Sequence, residues 1–127
     1  MTTLIRIEHP ESGNGIWRHF DKQGHRTCLN LSNYDEFEDR HRSFATLRSE
    51  LNSIFAMDYL DMLVYFCGFK SIEQLQQWVY QSEINEFVSF GFRIYKIEVN
   101  NCLMGDYQVF FKKDNIVSKI DITDIFK

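Results

Sequence analysis

The sequence predicts a single α+β domain in which a small, mostly antiparallel sheet packs against three or four helices. Two observations predict this fold class. Strand-like alternation of apolar and polar residues is found towards the two ends of the chain, whereas apolar residues recur at helical spacing between residues 43 and 90. The length of 127 residues suits one domain, and no linker or repeat divides it. We expect the sheet to consist of an N-terminal strand and a C-terminal hairpin.

The first element is a strand at residues 4–8, which Pro10 ends because proline lacks a backbone N–H donor. Residues 11–15 contain two glycines and are predicted to form a turn. Residues 19–42 are largely polar, so we predict a long polar loop there, with one short strand at residues 27–31. A loop of this length in a compact domain is often functional.

The middle of the chain is predicted to be helical. Phe44, Leu47 and Leu51 follow one another at spacings of three and four residues, as on one face of a helix. Ser71 and Gln74 match a capping box at the start of another helix. Residues 59–67, which precede this helix, are apolar nearly all round, and such a segment is typical of a helix buried on both sides. The predicted helices are residues 43–55, residues 59–67 between Asp58 and Gly68, residues 72–79, and residues 83–90 between Ser82 and Gly91.

The last third of the chain is predicted to be mainly β-structure. Residues 92–99 and 107–111 are rich in β-formers, and the polar segment 100–106 between them suits a hairpin connection. In residues 92–99 the apolar side chains move from even-numbered to odd-numbered positions, which predicts either a bulge or a strand covered on both faces. Residues 116–126 are predicted to form a further strand or a short terminal helix.

Composition and charge exclude several classes of protein. The hydrophobic fraction of 44% and the charged fraction of 25% exclude disordered and collagen-like chains. The net charge is -4, and proteins that neutralise phosphates carry a basic excess, so general nucleic-acid binding is not expected. No stretch approaches the roughly 20 apolar residues of a membrane span, and no signal-peptide pattern is found. We therefore expect a protein of the cytoplasm with reduced cysteines.

The sequence offers weak signals for metal or phosphate chemistry. His19, His25 and Cys28 are irregularly spaced and have no obvious fourth ligand, so no metal site is predicted. Gly13 and Gly15 lack the spacing of a phosphate-binding loop. No cofactor is expected.

The aromatic content of 16% is the unusual feature of the composition. Most aromatic residues lie on periodic apolar faces and are expected in the core, whereas a few lie among polar residues beside or within the predicted loop. Tyr, Trp and Phe are frequent anchors of protein interfaces. The predicted partner-binding residues are therefore Trp17, Arg18, Tyr34 and Phe37.

Two stretches of the sequence resemble known proteins. The opening Arg-Ile-Glu-His-Pro-Glu-Ser-Gly of residues 6–13, followed by Gly-Ile-Trp-Arg at residues 15–18, resembles the start of small proteins encoded by bacteriophages and prophages. Phe-Cys-Gly-Phe at residues 66–69, with the segments that follow to residue 110, completes the resemblance. It implies a small phage accessory protein in a bacterial cytoplasm. Such proteins commonly bind and inhibit a host or defence complex, as anti-CRISPR proteins do.

Two alternative functions remain open. The chain also resembles ADP-ribosyltransferase-like domains, in which Arg6 on the first strand and Gln108 on a late strand would contact an NAD-derived ligand. It departs from that pattern because no Ser-Thr-Ser strand is evident and Gln108 replaces an acidic residue, so it lacks the carboxylate of a general base. The second alternative is a small virion or assembly component that associates with itself. The oligomeric state is not predicted.

Overall fold

A computed structural model of the chain describes residues 1–42 and 47–127. The α+β class is confirmed, because within these ranges the structure has five α-helices, six strands and three short 3-10 helices. The start of the predicted helix 43–55 lies outside the described residues. The helices are α1 (Tyr34–Arg42), α2 (Leu47–Phe55), α3 (Tyr59–Met62), α4 (Ile72–Trp78) and α5 (Gln81–Ser89), and the 3-10 helices are Thr27–Asn30, Lys113–Asn115 and Thr123–Phe126.

The described strands form two antiparallel three-stranded sheets, in the orders β1-β3-β6 and β2-β5-β4. The two sheets meet at β1. Its residue Ile5 exchanges backbone hydrogen bonds of 2.9 and 2.7 Å with Phe69, which follows β2. The strands are β1 (Thr2–Glu8), β2 (Phe66–Gly68), β3 (Arg93–Val99), β4 (Leu103–Met104), β5 (Val109–Phe111) and β6 (Ile116–Asp121).

The strand pairing differs from the predicted hairpin. Strand β3 pairs with β1 and β6, whereas β5 pairs with β2 and β4. The predicted hairpin does not form because the chain turns within residues 105–108 instead. There the N–H of Gly105 donates to the carbonyl of Gln108 at 2.8 Å, and this turn joins β4 to β5. This reversal directs β5 into the second sheet and leaves the edge of β3 to β6. Ile94 and Ile97 of β3 are both fully buried, so β3 is covered on both faces, and its register with β6 shifts further along at Glu98 and Val99.

The predicted loop 19–42 is wrong in its second half, because residues 34–42 form α1. Phe37 and His41 lie one turn apart on the buried face of this helix, while Asp35, Glu36 and Asp39 face the solvent. A helix with so few apolar residues has a weak periodic signal, and it depends on tertiary contacts for its stability. The predicted strand 27–31 is a 3-10 helix instead.

The predicted helix 59–67 is also wrong beyond its first turn. α3 ends at Met62, and Phe66–Gly68 is strand β2, with Cys67 opposite Phe110. A short apolar run does not distinguish a buried helix from a buried strand. Gly68 is the residue that allows a strand here, because it lets the backbone approach β1 closely. A Cβ on Gly68 would lie 2.9 Å from the Ile5 carbonyl oxygen and against the Leu4 side chain, so only glycine fits.

The start signals of two helices are partly confirmed. Ser71 accepts a hydrogen bond of 3.1 Å from the N–H of Gln74, so the capping site of α4 lies where it was predicted. The predicted cap at Ser82 is wrong. α5 begins at Gln81, and Glu83 accepts from the N–H of Tyr80 at 2.8 Å.

The largest core cluster packs β1 and β3 against α1, α4 and α5. Its buried aromatic residues are Phe37, Trp78, Phe87 and Phe92. Two smaller clusters lie under the second sheet and beneath α2 and α3.

Candidate functional site

The predicted partner-binding residues do not form one exposed surface. Phe37 is 0% exposed, so its assignment to a partner contact is wrong: it is a core residue of α1. Trp17 is half-buried, and its ring stacks on Phe37 with centroids 5.1 Å apart and an interplanar angle of 23°. Arg18 is exposed and Tyr34 half-buried. The aromatic residues of this region therefore act first in packing α1 onto the core.

Tyr34 makes a polar contact within its own helix. Its hydroxyl donates to Glu38 Oε2 at 2.6 Å. This hydrogen bond to a carboxylate, with the burial of the ring, raises the pKa of Tyr34 to about 12. The phenol therefore remains neutral at physiological pH.

A polar junction joins α1 to α4 and α5. Arg40 donates to both carboxylate oxygens of Glu83, at 2.6 and 2.7 Å, and its guanidinium stacks over the Tyr80 ring at 3.6 Å. Arg40 and His41 both donate to the carbonyl of Trp78 at the end of α4, at 2.9 and 2.7 Å. The junction satisfies the last carbonyl of one helix and the first N–H of the next, so its role is structural.

An apolar surface lies around α3, and we call it the apolar ridge: Tyr59, Leu60, Leu63 and Val64. These side chains are 53%, 75%, 50% and 53% exposed. Met62, between them, is buried against Leu51 and Phe110 and anchors the segment. The ridge is not evident from the sequence, because a run that is apolar nearly all round predicts a helix buried on both sides.

A cavity of about 210 Å³ lies between the two sheets. Residues of β1 and β6 form one wall, and residues of β2 and β5 form the other. Arg6, in its wall, donates from Nε to Glu8 Oε1 at 3.0 Å, from Nη1 to the Cys67 carbonyl at 2.5 Å and from Nη2 to the Gly13 carbonyl at 3.2 Å. The charged and aromatic residues that line the cavity are Arg6, Glu8, Lys113, Lys119, Phe66 and Phe111.

The two residues of the ADP-ribosyltransferase-like hypothesis are not brought together in this cavity. Arg6 lines it, but Gln108 does not. Both residues are buried, at 6% exposure each. The Arg6 guanidinium is held by Glu8 and by the backbone carbonyls of Cys67 and Gly13.

His9, Glu11 and His19 place potential metal-ligating atoms within 4.8 Å of one another. The two imidazole rings are stacked, with centroids 3.8 Å apart and planes only 12° from parallel. Lone pairs of parallel rings lie in parallel planes and do not converge on one ion. His9 Nδ1 also accepts from the N–H of Glu11, and His19 Nδ1 bonds to the Thr27 hydroxyl. The arrangement therefore suits a packed histidine pair rather than a metal centre.

Comparisons with known proteins complete the description of the chain. In the parts of the chain that the structure describes, no helix combines the length and the apolar character needed to cross a bilayer. A protein-family model described as Bacteriophage T4 Y00F protein matches residues 1–124. No curated protein and no solved structure matches the chain.

Proposed function

The chain belongs to the bacteriophage T4 Y00F protein family, a family of small phage-encoded proteins, and we propose that it acts by binding and inhibiting a protein complex of the bacterial host. A defence complex in the bacterial cytoplasm is the target class that we favour. The action is non-covalent, through contact between two protein surfaces.

The exposed apolar ridge is the observation that supports this proposal. Four large apolar side chains, each at least half exposed, lie within six consecutive residues. Contiguous apolar patches on a protein surface commonly mark interaction sites, because covering them removes apolar area from water. Met62 anchors the ridge to the core, so α3 and the two residues that follow it present these apolar side chains at the surface.

The charges around the ridge indicate the kind of partner surface that would fit. Asp58 and Asp61 are both exposed on the same segment. An apolar patch with basic residues at its rim would complement them, because charge at the rim of an interface steers association. The exposed Arg18 belongs to the surface that the sequence predicted, and it is the rival contact residue.

The proposal is tested by capture from a lysate of phage-infected bacteria. The variants are Leu60→Asp with Leu63→Asp on the ridge, and Arg18→Ala at the rival surface. Val117→Asp with Ile125→Asp is the matched control, because these side chains are 48% and 66% exposed elsewhere. We expect the ridge variant to lose a captured complex that the control retains, and purified protein to inhibit that complex.

Two outcomes would contradict the proposal. If only Arg18→Ala loses the complex, the partner-binding surface predicted beside the loop is the contact and the ridge is not. If wild-type protein is a dimer in solution and the ridge variant is a monomer, a second copy covers the ridge, as the assembly-component alternative requires. Light scattering after size-exclusion chromatography measures this directly.

A further inference from the structure

The cavity between the two sheets concentrates positive charge in a chain whose net charge is -4. Its lining includes the cations Arg6, Lys113 and Lys119 against the single carboxylate of Glu8. Three positive charges and one negative charge leave an excess of two positive charges. Such an excess beside low-dielectric walls attracts a compact anion.

Both oxygens of Glu8, the single carboxylate in the lining, are already paired. Oε1 accepts from Arg6 Nε at 3.0 Å, and Oε2 accepts from Lys119 Nζ. Glu8 is 5% exposed. The carboxylate thus holds the guanidinium and one ammonium in place, as charge-assisted hydrogen bonds do.

Arg6 retains hydrogen-bond donors for a ligand. A guanidinium carries five N–H groups. Three of them donate, to Glu8, Cys67 and Gly13, among the residues that the structure describes. These partners fix the plane of the guanidinium, which lines the cavity, and an anion bound there would depend on its other two N–H groups.

Lys113 supplies the second available cation. Its ammonium lies 4.8 Å from the centroid of the Phe66 ring, and no carboxylate pairs with it in residues 1–42 and 47–127. The ammonium nitrogen also lies 3.3 Å from the position that a Cβ on Gly13 would occupy. Gly13 and Phe66 thus flank an ammonium at the edge of the cavity.

We propose that the cavity binds a phosphate dianion, either free or as the phosphomonoester of a small molecule. The excess of two positive charges matches the charge of a phosphomonoester above its second pKa of about 6. The volume of about 210 Å³ admits the group with part of its ester. Phe66 and Phe111 give that organic part an apolar wall. This site is separate from the ridge, so the proposed function and this proposal stand independently.

The test is isothermal titration calorimetry with inorganic phosphate, AMP and adenosine. We expect phosphate and AMP to bind, adenosine to give no binding heat, and binding to weaken as salt is raised. Lys113→Ala removes an exposed, unpaired ammonium without disturbing the Arg6–Glu8 pair, and it should weaken binding about tenfold. Lys22→Ala, in an exposed turn, is the matched control and should leave the affinity unchanged.

The arms of the titration distinguish the sources of the phosphate group. If the affinity for AMP is about tenfold higher than that for phosphate, the ligand is a phosphomonoester. If the two affinities are equal, the site recognises the phosphate group alone. The proposal is overturned if neither phosphate nor AMP binds, if adenosine binds as well as AMP, or if Lys113→Ala leaves the affinity unchanged. Circular dichroism of each variant verifies that it is folded.

Discussion

Arg40 of α1 and Glu83 of α5 form a buried ion pair in which two hydrogen bonds, of 2.6 and 2.7 Å, run side by side. The Glu83 side chain is 0% exposed and that of Arg40 is 12% exposed. Asn33 also donates to Glu83 Oε2 at 2.8 Å. Although burial acts to raise it, the pKa of Glu83 is lowered by the hydrogen bonds from Arg40, Tyr80 and Asn33. The carboxylate therefore remains charged inside the protein.

Glu83→Ala is predicted to lower the free energy of unfolding by about 3 kcal/mol, because it leaves the Arg40 guanidinium buried without its partner. Urea denaturation followed by circular dichroism measures the loss. The matched control is Glu36→Ala: Glu36 also contacts Arg40, at 3.5 Å, but its side chain is 64% exposed. Exposed pairs contribute about 0–1 kcal/mol. Equal losses in the two variants would contradict the structural role of the pair.

His41 is predicted to make the protein less stable as the pH falls from about 6.5 to about 4. Burial is the main reason that the pKa of His41 lies at about 4, with the charge of Arg40 acting in the same direction. In the unfolded chain an imidazole titrates near pH 6.5. Between these values only the unfolded chain takes up the proton, so the free energy of unfolding should fall by about 3 kcal/mol.

His41→Gln tests this assignment, because Gln keeps an N–H donor for the Trp78 carbonyl but does not titrate. Denaturation curves of the variant should show a shallower fall in stability over the same pH range. Burial and the nearby His9 also lower the pKa of His19, so part of the acid sensitivity should persist. A slope identical to that of the wild type would contradict the role of His41.

Trp17→Ala is predicted to destabilise the fold rather than to act only on partner binding. Its ring stacks on Phe37 and makes edge contacts with Tyr34 and His41. Aromatic pairs contribute about 0.5–1.5 kcal/mol each beyond burial, so a loss of about 2 kcal/mol is expected. Phe20→Ala is the control, because the Phe20 side chain is 57% exposed. Thermal unfolding that is unchanged in Trp17→Ala would restore Trp17 as a surface contact.

Gly68→Ala is predicted to lower the free energy of unfolding by about 2 kcal/mol, in the range found for overpacked cores. The added Cβ would lie 2.9 Å from the Ile5 carbonyl oxygen, and backbone cannot yield as a flexible side chain does. The contrasting variant is Gly24→Ala: Gly24 has φ +80°, but no atom of the described residues lies within 4 Å of a new Cβ. It should be destabilised by about 1 kcal/mol, from backbone strain alone. A smaller effect at Gly68 than at Gly24 would contradict the close contact of the sheets.

The sequence by itself determined the α+β class, the first strand, and the start of α4 at Ser71. These features depend on local chemistry. Alternation selects strands, a serine oxygen caps the N–H three residues later, and a glycine ends a helix where φ is positive, as at Gly91 with φ +97°. It also assigned most of the aromatic residues to the core.

Only the tertiary structure decided α1, the apolar ridge and the cavity between the sheets. Helix α1 is stabilised by partners about 40 residues away in the chain, Trp78 and Glu83, which no local pattern contains. The cavity unites Arg6 with lysines more than 100 positions later. Residues 66–68 at the end of the apolar run form a strand because they pair with β5. The residues at the start of the same run carry the exposed ridge. Long-range contacts of this kind outweigh local propensity because burial and buried ion pairing depend on the neighbours in space.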